Sequence, residues 1–431
     1  MLPLPLAALS SLLLLLLGLL FAARRTREVH AQEQLLIARD LAALSAHAAS
    51  FPRHAPLTAL VTGANSGIGY ALALALARCG VRVILGCRSA ERGAAALSRI
   101  RREVGAAADV VLLQVDVADP ASVVAAAARC RGERGLAAGG LHLLFLNAGM
   151  MPLAGYRWGV ALHALLRGAL GFFLTTGRAT PEGAHFLAQP LDAVGAGGAP
   201  SVFATNVLGH LLLAEELMPL LASARGGVVW TGSRAATAAR CEWGHLAPPP
   251  LPAPGEAAAP GGAAARRLSG HEAWLASRRR TQGEAYGESK WAMDLLSPAL
   301  SRRLAPGVRS AVVCPGFVDT EFTPPFFKAA LPAARALRGV TEAFHIAPEL
   351  GAHTCIAAAL ALSGGAELRP DRKYVLRIGR LVAAGAGAPR TTEELQERMW
   401  DLCQQWLRVW REIARAQGEG GSREQARAGR A

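Results

Sequence analysis

From residue 57 onward, short apolar runs alternate with longer stretches of helical pattern. The runs at 57–61, 81–85, 110–115, 141–146, 227–231 and 309–313 have strand length, and 374–377 reads as a last edge strand. Between them, 70–77, 91–104, 120–131, 201–221 and 282–304 carry helical patterns, and 392–415 adds a final helix. Strands alternating with helices predict an α/β fold, a single-domain doubly wound parallel sheet of Rossmann type, over 57–390.

Three stretches break that rhythm. Residues 150–200 lack strand character, and 160–174 within them are hydrophobic nearly all round, which suggests a substrate lid that also faces the membrane, with a buried helix as the alternative. Residues 241–280 are rich in Pro, Ala and Gly and read as a loose surface insertion. Residues 322–336 are apolar and irregular. Beyond the final helix, the end of the 391–431 segment is polar and Gly-rich, and a disordered tail is expected there.

The amino end follows another logic. Residues 2–23 hold no charge, are dominated by Leu, and precede Arg24, Arg25 and Arg27. A run of this length crosses a bilayer, and the basic cluster on its carboxyl side argues against a cleaved signal peptide. Residues 1–23 are therefore expected to be a single transmembrane anchor, with the rest of the chain in the cytosol. Residues 24–56 form an amphipathic linker, helical over 29–50.

Composition changes this picture little. The 431 residues are 52% hydrophobic, ample for a buried core. The formal charge of +14 comes from Arg scattered through an Ala/Gly-rich chain with three Lys, which is composition bias; no nucleic-acid partner is expected. The Arg after the apolar run suit anionic lipid headgroups. Seven Cys without a C-x-x-C pair give neither a disulfide framework nor a metal site, and a reducing compartment is expected.

The chain is organised around Thr62-Gly63-Ala64-Asn65-Ser66-Gly67-Ile68-Gly69, between the first strand and the first helix of the sheet. Glycines there let the backbone turn tightly and approach a pyrophosphate, and the helix start offers free N–H groups. After the second strand, Arg88 stands where NAD sites usually carry a carboxylate, so a 2′-phosphate and NADP(H) are preferred. Tyr286 and Lys290 are four apart on one helix face. A cation beside a phenol lowers its pKa and lets it exchange a proton with an alkoxide. Ser233 ends the fifth strand, at the sheet edge where ligands bind, and suits a substrate carbonyl; a turn serine is the alternative. Asn206 sits early in a helix, where an Asn also serves as a cap, and His210 reads as a packing residue.

Taken with Asp116, Asn147-Ala148-Gly149 and Pro315-Gly316, this set resembles the short-chain dehydrogenase/reductases in order and strand position. The resemblance implies that Tyr286 is the acid/base, that Lys290 lowers its pKa and binds the nicotinamide ribose, that Ser233 orients the carbonyl, and that Asn206 holds a relay water. It implies coenzyme contacts at Gly63, Asn65, Ser66, Gly67, Ile68 and Gly69. Asp116 and Val117 would lie at the adenine, Asn147, Ala148 and Gly149 at the central strands, and Pro315, Gly316, Val318 and Thr320 at the nicotinamide. The segments Leu146 to Pro152, Phe203 to His210, Val229 to Arg234 and Ser289 to Ser297 are similar to the 3-ketosteroid reductase group, which includes 17β-hydroxysteroid dehydrogenase type 7. That group implies NADPH-dependent reduction of a 3-keto sterol or 17-keto steroid at the endoplasmic reticulum membrane. The N-terminal anchor, the glycine turn and Cys87-Arg88 look equally like membrane retinol dehydrogenases, which implies a retinoid or other lipid carbonyl as the alternative. A non-catalytic NADP(H)-binding membrane scaffold is the reading from another class, and a homodimer is left open.

Overall fold

The computed structural model describes residues 21, 24, 28, 31–151, 155–156, 187–188, 192–233, 236, 246–248, 282–316, 318, 347–363, 368, 373–377, 380–383 and 391–428. The expected anchor, most of both insertions, residues 322–336 and Thr320 lie outside them.

Strands β1 (Thr58–Thr62), β2 (Arg82–Cys87), β3 (Val110–Gln114), β4 (Leu143–Leu146), β7 (Gly227–Thr231), β8 (Arg309–Cys314), β9 (Lys373–Arg377) and β10 (Arg380–Ala383) form one sheet. Its order is β10-β9-β8-β7-β4-β1-β2-β3. All neighbours pair in parallel except β9 and β10. The strand order reverses between β1 and β4, which makes their carboxyl ends the crevice where ligands enter such sheets. A separate two-stranded ribbon pairs β5 (Gly155–Tyr156) with β6 (Leu187–Ala188).

Both faces of the sheet are covered, which is why β1, β4 and β7 are continuous apolar runs. On one face lie α2 (Gly67–Arg78), α3 (Ala90–Val104) and α9 (Pro348–Ser363), over a core that includes Leu72, Leu76, Phe145 and Ile356. On the other lie α4 (Pro120–Gly132), α6 (Ser201–Glu216), α8 (Gln282–Ser301) and α10 (Glu393–Ala428), around Leu211, Trp230, Met293 and Trp406. A short α5 (Arg134–Gly139) leads into β4.

The linker helix α1 (31–49) packs against the domain. Leu44 is buried, Asp40 meets His353 of α9 at 2.9 Å, and the Cys79 thiol donates to the Leu41 carbonyl at 3.4 Å.

Three features differ from the sequence expectation. The long helix expected over 201–221 is broken at Leu217 into α6 and α7 (Met218–Ala224), bent by 60°. Pro219 in the first turn of α7 has no N–H to continue α6. The edge strand gains an antiparallel partner, β10. Helix α10 runs on to Ala428 through much of the segment expected to be a disordered tail, whose Glu, Gln, Arg and Ala are good helix formers. Among the described residues no single helix is long and apolar enough to cross a membrane. The bent α6–α7 pair passes on length and composition, but Leu211, Leu212 and Leu213 in it are fully buried in the core.

Candidate active site

The turn after β1 is a backbone cradle. Gly63 and Gly67 have positive φ angles of 68° and 55°. A methyl on Gly69 would lie 2.3 Å from the Gly63 carbonyl and 2.6 Å from the Asn147 amide nitrogen, so only glycine fits. Ser66 flanks α2 without capping it through its side chain, which leaves the first-turn N–H groups to a ligand. A dinucleotide pyrophosphate fits this arrangement. Asn65 and Ile68 belong to the same turn. Exposed Arg88 directly follows β2, while the next residue, Ser89, caps α3 by accepting from the Arg92 N–H at 3.2 Å. Asp116 accepts from the Ala118 N–H at 2.9 Å, a local turn that orders the chain through Val117.

Behind the cradle, β1 and β4 are tied at one hydroxyl. Thr62 Oγ1 accepts the N–H groups of Asn147 and Ala148, each at 2.9 Å. The Asn147 side chain in turn donates to the Thr62 carbonyl at 2.9 Å.

Next to it the side chains singled out by sequence converge. Asn206 lies in a π-helical turn of α6 (Ala204–Leu208) and is fully buried. Its amide donates to Ser289 Oγ at 2.9 Å and to the Met150 carbonyl at 3.2 Å, and accepts the Met150 N–H at 2.8 Å. Ser289 passes the link on, donating to the Tyr286 carbonyl at 2.8 Å. One residue further along α8, Lys290 donates from Nζ to the Thr231 carbonyl at the end of β7 at 2.7 Å. That ammonium lies 5.5 Å from the Tyr286 ring centre. A methyl on Gly149 would fall 3.3 Å from Asn206 Oδ1 and 3.9 Å from Lys290 Nζ, so the end of β4 borders the same cluster. Ser233 is hydrogen-bonded to the Tyr286 phenol. Tyr286, Lys290, Ser233 and Asn206 thus meet at the carboxyl edge of β4 and β7. Pro315 and Gly316 follow β8 at the same edge, Gly316 with φ of 80°, and Val318 is buried there.

One electrostatic expectation is reversed. Tyr286 is pushed up to about 12, first by burial, with the Ser233 hydrogen bond pulling it down and the Cys314 sulfur opposing the phenolate. Desolvation of the phenolate sets the direction, while the Lys290 ammonium is held on the Thr231 carbonyl. In this state the Tyr286 phenol is held in its neutral form.

Sequence alone assigns Ser289 no role, although it joins Asn206 to the Tyr286 backbone. Its place beside Lys290 in the sequence of α8 was the available signal. Gly209 was also passed over. A methyl on it would fall 1.7 Å from the Val117 carbonyl, so α6 crosses the β3–α4 connection at backbone contact.

Dinucleotide cradle, covered parallel sheet and a Tyr–Lys–Ser–Asn cluster at one sheet edge are the marks of a nucleotide-dependent oxidoreductase. The profile described as short chain dehydrogenase matches residues 57–160. The rat protein named 3-keto-steroid reductase/17-beta-hydroxysteroid dehydrogenase 7 is 31% identical over 316 residues, 69% of this chain and 79% of the relative. The chain belongs to the short-chain dehydrogenase/reductase family, close to that keto-steroid reductase group. Mouse retinol dehydrogenase 11 is 38% identical over 157 residues, 36% of this chain and 44% of the relative. A crystal structure of an uncharacterised protein from Mycobacterium Paratuberculosis shares the fold, with a TM-score of 0.50 and 24% identity over 84% of this chain and 97% of that one.

Proposed function

We propose that this protein is a membrane-anchored, NADPH-dependent reductase of a ketone on a hydrophobic substrate, a 3-keto sterol or 17-keto steroid. The observation that carries the reading is the Tyr286 phenol, neutral and hydrogen-bonded to Ser233, beside Lys290 at the mouth of the dinucleotide cradle. When bound, NADPH supplies the hydride. The residues from Gly63 to Gly69 hold its pyrophosphate, and Arg88 takes the 2′-phosphate, for which an exposed cation after β2 is suited. Ser233 orients the substrate carbonyl, and Tyr286 gives its proton to the oxygen as negative charge develops there. Lys290 offsets the charge left on the phenolate. Asn206, fixed by Ser289 and Met150, steadies the helix face from which the proton is replaced.

The steroid class is supported by the similarity to the rat keto-steroid reductase over most of both chains. Membrane attachment is supported by the apolar run at 2–23, and the endoplasmic reticulum is the location that the family resemblance of the sequence implies. A retinoid or other lipid aldehyde is the second reading, supported by the likeness to mouse retinol dehydrogenase 11.

The test is NADPH oxidation by the detergent-solubilised full chain with a 3-keto sterol, estrone and all-trans-retinal, with Tyr286→Phe as control. Turnover of the steroids alone supports the first reading, and turnover of retinal alone the second. Tight NADPH binding without turnover of any carbonyl overturns both in favour of a coenzyme-binding scaffold.

A further inference from the structure

Two consecutive residues of α1 reach the two helices that border the dinucleotide cradle. The Asp40 carboxylate accepts from His353 Nε2 of α9 at 2.9 Å, and the Leu41 carbonyl accepts from the thiol of Cys79, at the carboxyl end of α2. Leu44, one turn on, is buried in the core that α2 and α9 share. His353 is 1% exposed and Asp40 8%, so their contact is shielded from water. The second Asp40 oxygen accepts from the Arg39 guanidinium at 2.9 and 2.7 Å. Nδ1 of His353 has no hydrogen-bond partner among the described residues, which leaves Asp40 as the polar attachment of that ring.

The same stretch of α9 touches the coenzyme site. A methyl on Gly351 would fall 2.9 Å from Val318 and 3.1 Å from Ile68. Ile68 closes the glycine turn in the first turn of α2, and Val318 follows Pro315 and Gly316 after β8. The α9 backbone therefore borders both the pyrophosphate end and the nicotinamide end of the site proposed for NADPH. Ala352, Cys355 and Ile356 bury this part of α9 in one core with Leu72 and Leu76 of α2. Residues two apart in a helix point to nearly opposite sides and lie only about 3 Å apart along its axis. Helix α9 thus stands between α1, at His353, and the coenzyme residues, at Gly351.

We infer that Asp40 and His353 are positioning residues for the coenzyme: they hold α9 from behind and keep Gly351 against Ile68 and Val318, so that docking of α1 and binding of NADPH reinforce each other. The inference rests on the coenzyme reading above and adds to it a coupling with the amino-terminal helix, which by linkage acts in both directions. A purely structural role for the pair predicts a lower Tm with unchanged NADPH affinity.

The experiment uses the full chain in detergent. Asp40→Leu keeps the side-chain volume roughly constant and removes the acceptor, whereas Asp40→Asn keeps an acceptor for His353. Kd for NADPH, read from coenzyme fluorescence, should rise about fivefold in Asp40→Leu, the lower end of couplings between sites, and stay within about twofold of the wild type in Asp40→Asn. In the wild type, saturating NADPH should slow amide exchange over residues 36–46 of α1 more than over 395–411 of α10, on the other face of the sheet. A general gain in stability on binding slows both alike. The exchange measurement decides the matter even where Asp40→Leu fails to fold. Unchanged Kd in Asp40→Leu, or equal slowing of α1 and α10, overturns the inference, while binding by the wild type keeps the coenzyme reading standing. A wild type that does not bind NADPH defeats that reading, and this inference with it.

Discussion

His210 of α6 and Thr62 at the end of β1 are hydrogen-bonded 3.0 Å apart, across 148 residues of sequence. The other ring nitrogen of His210 lies 2.9 Å from the carbonyl of Asn206, which requires the Nδ1–H tautomer, so Nε2 accepts from the Thr62 hydroxyl. That hydroxyl is the one that holds the N–H groups of Asn147 and Ala148. A single neutral imidazole therefore joins the dinucleotide cradle, the end of β4 and the Asn206 turn.

Burial, with Lys290 nearby, pushes His210 down to about 4, while the hydrogen bond to Asn206 opposes the fall. The unfolded chain takes up this proton near the ordinary value of 6.5, and the folded chain does not until about pH 4. The stabilisation is whole above pH 6.5 and is lost as pH falls toward 4. A fully buried group with that shift accounts for about 3 kcal/mol across the window. Urea unfolding between pH 8 and pH 5 should show a loss of stability that is distinctly shallower in His210→Gln; an unchanged slope refutes the assignment.

Tyr286→Phe should lower kcat by about a thousandfold or more, the scale of a positioned general acid. NADPH affinity, read from coenzyme fluorescence, should stay within about threefold, since the ring and the Lys290–Thr231 bond remain. Retained turnover in this variant would remove Tyr286 from the mechanism.

Arg88→Ala should raise KM for NADPH about tenfold while leaving that for NADH nearly constant. An exposed guanidinium meeting a phosphate is worth about one such factor. Parallel changes for the two coenzymes would show that Arg88 does not read the 2′-phosphate.

Gly209→Ala should fail to fold or lose Tm by many degrees, because a methyl 1.7 Å from the Val117 carbonyl forces α6 off the β3–α4 connection. Ala at Gly132, where nothing lies within 4 Å, is the control and should leave Tm nearly unchanged. Equal melting of both variants would show that the crossing gives way easily.

The parts legible in sequence were those written locally. A strand covered on both faces has to be an apolar run, so β1, β2, β4, β7 and β8 announce themselves. Tyr286 and Lys290 share a helix face by their spacing alone. Contacts between distant segments left no such trace: Asn206 and Ser289 are 83 residues apart, and nothing local says that they touch. The break at Leu217 was masked by Leu-rich sequence on both sides of Pro219. Strand β10 pairs only at the sheet edge and has no strong pattern of its own. The direction of the Tyr286 shift was misjudged because a sequence shows the cation four residues away but not how much water the fold removes.

The contact between Asp40 and His353 has a consequence for biosynthesis. Its partners are 313 residues apart, so α1 leaves the ribosome long before the helix that receives it. At about 5–20 residues per second the interval is about 15–60 s. For that time the inner face of α1, with Leu44 and the Asp40 carboxylate, has no α9 to pack on. The part of α1 that meets α9 is therefore made early and docked late, and that interval is the stage at which a nascent-chain chaperone has most to shield.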